Sequence, residues 1–98
     1  MNRILKFIDD FKSKHPNEIE DVFMNGYCYW FAMILSIRFK GNIWFNPLLV
    51  HFASNIGVYL YDISGMITDT YGWVSWEVYQ RTNQEEALQI VKSIIKKE

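Results

Sequence analysis

Several things are scarce in this 98-residue chain. It has one cysteine, Cys28, so no internal disulfide can hold the fold, and a lone thiol beside four Met and four Trp suits a reducing compartment. With only two prolines and five glycines, and no repeat, low-complexity tract or linker, residues 1–98 read as one compact domain. Neither sign of charge is in excess: ten basic and eleven acidic residues leave −1, which excludes nucleic-acid binding by bulk charge. No apolar run approaches the roughly 20 residues of a membrane-spanning helix. Asp9, Asp10 and Lys12 interrupt any apolar signal core near the N-terminus, so the chain reads as soluble, unexported and cytoplasmic, with no membrane partner. One cysteine and two separated histidines give no zinc-type ligand spacing, so neither metal nor cofactor is expected.

What the chain has in quantity is apolar and aromatic side chains: half its residues are hydrophobic, with seven Phe, six Tyr and four Trp. That is core-forming composition, far from a disordered chain. Ile4, Leu5, Phe7, Ile8 and Phe11 recur at helical spacing behind Asn2, a residue suited to an N-cap. His15-Pro16 stops that helix, and a polar stretch from Asn17 to Asp21 with an acidic helical turn leads to a turn at Gly26. From Tyr27 to about Phe39 the chain is apolar nearly all round, which predicts a buried central helix with Cys28 in its first turn. Gly41 is the predicted left-handed stop.

Ile43–Phe45, Val50–Ser54 and Val58–Asp62 are β-branched and aromatic runs separated by turn residues, and they predict an antiparallel meander. Ser64-Gly65 ends the third strand, and Trp73–Tyr79 reads as a fourth. Thr82 and Glu85 have capping-box spacing ahead of a closing amphipathic helix. The expected class is α+β: N-terminal helices including a buried central one, a small antiparallel sheet of three to four strands, and a C-terminal amphipathic helix.

Thiols become nucleophiles when a helix N-terminus or a neighbouring imidazole lowers their pKa, and Cys28 has access to both. His51 lies on the second strand and Asp62 on its antiparallel partner. With a turn centred on Asn55-Ile56 or Ile56-Gly57, His51 pairs near positions 60 to 62, so Asp62 lies opposite it or one diagonal step away. A slip of one residue would put the carboxylate on the wrong face.

The order Cys28, His51, Asp62, carried by the segments Asn25-Gly26-Tyr27-Cys28-Tyr29-Trp30-Phe31-Ala32 and His51-Phe52 through Tyr61-Asp62-Ile63-Ser64-Gly65, resembles the papain-like and transglutaminase-like superfamily. The resemblance spans roughly Gly26 to Gly65. It implies Cys28 as nucleophile, His51 as general base and Asp62 as the group that orients the imidazole, in acyl transfer from an amide or thioester of a protein or peptide. No Gln stands several residues before Cys28 as an oxyanion donor, and Val22 is near that location; Asn25 or the Cys28 amide would serve instead.

Each of these residues also has a plain structural role open to it: Cys28 as a small buried apolar group, His51 as a hydrogen-bonded core imidazole, Asp62 as a turn cap before Ser64-Gly65. Trp30, Trp44, Tyr59, Trp73 and Trp76 are candidates for an aromatic partner-binding surface, which allows a homodimer without requiring one. The short, aromatic-rich chain is similar in composition to accessory proteins of phages and mobile elements. That likeness implies a second function, non-enzymatic binding and inhibition of a protein of the bacterial host cell, as by anti-CRISPR inhibitors.

Overall fold

A computed structural model describes residues 2–14, 23 and 27–96. The predicted stop at His15-Pro16, the stretch from Asn17 to Asp21, Val22, and the turn at Asn25-Gly26 lie outside the described residues.

The first helix, α1 (Arg3–Lys14), starts where Asn2 predicts: the Asn2 Oδ1 accepts the Leu5 backbone N–H at 2.7 Å. Its apolar stripe buries Ile4 and Ile8 against Phe31 and Leu35 of the central helix, α2 (Cys28–Phe39). The other side of α2 meets the sheet and the C-terminal helices, with Ala32 packed among Phe45, Phe52, Trp76 and Ala87. Contact on both sides is why α2 is apolar nearly all round.

Helix α2 ends differently from expectation. Lys40, not Gly41, takes the left-handed conformation, at φ 58°. Gly41 is needed for a different reason. A Cβ there would lie 2.7 Å from the Asn55 carbonyl oxygen, the Ile56 side chain and Ser54 Oγ, so the chain passes too close to the sheet for any side chain.

Five strands form one antiparallel sheet in the order β4-β3-β2-β1-β5: β1 (Asn42–Asn46), β2 (His51–Ile56), β3 (Tyr59–Asp62), β4 (Gly65–Ile67) and β5 (Val74–Ser75). The protein is α+β, with one strand more than the upper expectation. The hairpin between β2 and β3 turns at Gly57-Val58, since Ile56 pairs with Tyr59 and Gly57 has φ 65°. The turn is thus displaced toward the C-terminus from its predicted centre. Beyond Ser64 the chain does not leave the sheet but folds back as β4, with Asp62 paired to Gly65.

The segment predicted as a fourth strand, Trp73–Tyr79, is mostly helix: β5 spans Val74–Ser75 and α3 (Trp76–Thr82) follows at once. Trp76 and Tyr79 explain it. A strand would send residues three apart to opposite faces, whereas a helix stacks their rings at 5.8 Å over Phe45. The predicted cap Thr82 is likewise the last residue of α3, and its hydroxyl donates to the Val78 carbonyl. Asn83 takes its place, its carbonyl accepting the Ala87 N–H as α4 (Gln84–Lys96) begins. No helix among the described residues is long and apolar enough to cross a membrane.

Candidate active site

Cys28 is the first residue of α2. The preceding Tyr27 has non-helical backbone angles, φ −112° and ψ 18°, while its carbonyl already accepts the Trp30 and Phe31 N–H groups. The N–H of Cys28 therefore has no acceptor within the helix, and its half-buried thiol stands at the positive end of the helix dipole.

His51 is the first residue of β2, opposite Asn46 of β1, and only 8% exposed. The residue before it, Val50, has φ 50°, a strained conformation for a β-branched side chain. Asn46 restrains this corner: its Oδ1 accepts the N–H groups of Leu48 and Leu49, and its Nδ2 donates to the Tyr71 carbonyl. The ring of Trp73 meets the imidazole edge-on at 5.9 Å between centroids.

Asp62 closes β3. Ser54 pairs with Tyr61, so the register places Asp62 level with Ala53 and one diagonal step from His51, on the same face. The Asp62 Oδ2 lies 2.9 Å from His51 Nε2. Its other oxygen, Oδ1, accepts the Ser64 backbone N–H at 2.9 Å and the Ser64 hydroxyl at 2.5 Å. With Nε2 occupied by Asp62, Nδ1 is the ring nitrogen left to Cys28.

Burial is the largest influence on each of the three groups and opposes its charged form, yet all three shift the other way. Burial pushes the Cys28 thiol up, but the hydrogen bond and charge of His51, with backbone hydrogen bonds at Phe52 and Tyr29, bring it below its ordinary value. Burial lowers His51, and the hydrogen bonds and negative charges of Asp62 and Cys28 raise it to about 9. Burial raises Asp62, while His51 and the two Ser64 donors hold it below the usual carboxylate value. Those directions favour a thiolate, an imidazolium and a carboxylate in one row.

The structure thus brings Cys28, His51 and Asp62 together. Asn25 lies outside the described residues. The aromatic candidates separate: Tyr59 is 53% exposed, and Trp30 and Trp44 are half-buried. Trp73 and Trp76 are buried, at 8% and 7%: Trp73 packs on Ala53 and Leu60, and Trp76 on Phe45 and Phe52. Asp62 does cap the turn before Ser64-Gly65, the plain structural role open to it from the sequence, and it does so while bonded to His51; sequence reasoning assigns neither Ser64 nor Asn46 a part in the site. Among the described residues no group of three or more His, Cys, Asp or Glu side chains could hold a metal ion.

No curated protein and no solved structure matches the chain. A family model does, over residues 4–96, which include every residue of the site just described, and the chain belongs to the family it describes, that of the phage YunG-like proteins.

Proposed function

We propose that this phage protein is a cysteine-dependent acyl-transfer enzyme, a compact amide or thioester hydrolase or transferase of the papain-like or transglutaminase-like kind. One observation carries the reading: a nearly buried imidazole stands between a helix-start thiol and a carboxylate that is itself fixed on both oxygens. The Cys28 thiolate attacks a carbonyl carbon, forming a C–S bond, and the charge that develops on oxygen faces the Cys28 N–H at the helix N-terminus. His51 gives its proton to the leaving group, and the acyl thioester remains on Cys28. Water or another acceptor then loses a proton to His51 as it attacks, and the thiolate leaves. Asp62 keeps the ring oriented and stabilises the imidazolium.

The reading is tested with an activated ester, p-nitrophenyl acetate, followed by intact-protein mass spectrometry. The expected result is a burst of p-nitrophenol with one acetyl group on Cys28, absent in Cys28→Ala and strongly slowed in His51→Ala. If wild type and Cys28→Ala release p-nitrophenol alike, the proposal fails, and the protein works by binding rather than by catalysis.

A further inference from the structure

A hollow of about 400 Å³ opens between α1 and the last residues of α2, lined by Arg3, Lys6, Phe7, Asp10, Arg38 and Phe39. Its charge runs against that of the chain: three cations face one carboxylate, in a protein whose formal charge is −1. Cys28 begins α2 and Arg38 nearly ends it, so the hollow lies roughly 15 Å along the helix from the thiol. It shares no lining residue with Cys28, His51 and Asp62.

The helix dipole suits Arg38 at the end of α2, but it does not account for Arg3 and Lys6. Both fall in the first turn of α1, the positive end of its dipole, where acidic residues are favoured and none is present. Two aromatic rings hold the guanidiniums. Arg38 Cζ stands 4.8 Å from the centroid of Phe7 and 5.9 Å from that of Phe39, and Arg3 Cζ stands 5.4 Å from Phe39. The two rings meet edge to face at 5.5 Å. Lys6 is paired with Asp10 at 3.1 Å, which uses the one carboxylate of the lining, and neither guanidinium has an acidic partner among the described residues.

A guanidinium held face-on by a ring keeps its N–H edge for a second partner, and that fork matches a carboxylate or a phosphate. Size and charge choose between them. The hollow takes a few side chains rather than a stretch of phosphate backbone, and the chain's overall charge gives no field to hold a long polyanion. We infer that the hollow between α1 and α2 docks a short acidic segment of a partner protein, with Arg3 and Arg38 each taking a carboxylate above an apolar floor of Phe7 and Phe39. This docking does not depend on chemistry at Cys28.

Fluorescence anisotropy at low salt tests it, with the full chain and three labelled probes: hexaglutamate, hexaglutamine and a short oligothymidylate. Wild type should bind hexaglutamate about tenfold or more tightly than hexaglutamine, and Arg3→Gln with Arg38→Gln should remove that preference. Arg81→Gln with Lys92→Gln, which takes the same charge from exposed positions on α3 and α4, should leave it nearly unchanged. Asp10→Asn strips the one carboxylate from the lining and should tighten hexaglutamate severalfold, a gain that a misfolded variant could not give. Equal binding of the two peptides by wild type, equal losses in the two double variants, or no tightening in Asp10→Asn overturns the docking site. Oligothymidylate bound more tightly than hexaglutamate through Arg3 and Arg38 also overturns it, by making the hollow a nucleic-acid site.

Discussion

His51 and Asp62 do not face each other squarely across β2 and β3; they stand one diagonal step apart, and at that offset His51 Nε2 and Asp62 Oδ2 are 2.9 Å from one another. The offset leaves Asp62 Oδ1 pointing to the following turn, where Ser64 supplies two donors. A single carboxylate thereby caps a turn and orients an imidazole, one oxygen for each task.

Ser64 is consequently a positioning residue. Ser64→Ala removes the hydroxyl donor but keeps the backbone one, so Asp62 becomes a weaker acid and His51 loses part of its support. A lost hydrogen bond to a charged group is worth about 1.5–3 kcal/mol. Cys28 alkylation at neutral pH should slow by about tenfold, with its acid limb moved to higher pH. Ser64→Thr, which retains the hydroxyl, should restore both. A variant that melts earlier but keeps the wild-type pH profile would reduce Ser64 to a turn residue.

The dependence of stability on pH separates the ion pair from its parts. A His51 pKa raised from 6.5 to about 9 adds stability that is complete below 6.5 and lost as pH climbs through 9. A lowered Cys28 pKa acts in the opposite sense, adding stability as pH rises toward the ordinary thiol value. In wild type the folded pair holds one proton and so does the unfolded one, so stability should be nearly flat between about pH 7 and 8. Cys28→Ser removes the compensation, and urea midpoints should then fall as pH rises above about 6.5. Parallel profiles for the two proteins would contradict the thiolate–imidazolium pair.

The aromatic residues give a test of the packing. Trp76→Ala opens the cluster of Phe45, Phe52 and Tyr79 and should cost about 3–5 kcal/mol, read from urea unfolding. Tyr59→Ala, at an exposed position, should stay within about 0.5 kcal/mol of wild type. Similar losses for both would mean that Trp76 is less enclosed than described.

Much of this was legible in the residues because side chains alternate between the two faces of a strand. Moving the β2–β3 turn from its predicted centre to Gly57-Val58 shifts the pairing by an even number of residues. His51 and Asp62 therefore stay on one face, and only their offset changes. Helices α1 and α2 were legible from a capped apolar stripe and from a run apolar on every side. The region after Gly72 was not, because Trp-Val-Ser-Trp-Glu-Val-Tyr satisfies strand propensity locally. Contact with Phe45, far away in sequence, decides for a helix. Glycine was misread for the same reason: Gly41 answers to the approach of β2, which no local pattern displays.

The central claim is that His51 holds Cys28 as a thiolate at neutral pH, and the pH dependence of Cys28 alkylation by iodoacetamide, followed by intact mass, tests it most directly. Wild type should react with an apparent pKa well below the ordinary thiol value of about 8.5, and His51→Ala should move that value back up to it or beyond. Identical profiles for wild type and His51→Ala, both rising only near pH 8.5, would contradict the account.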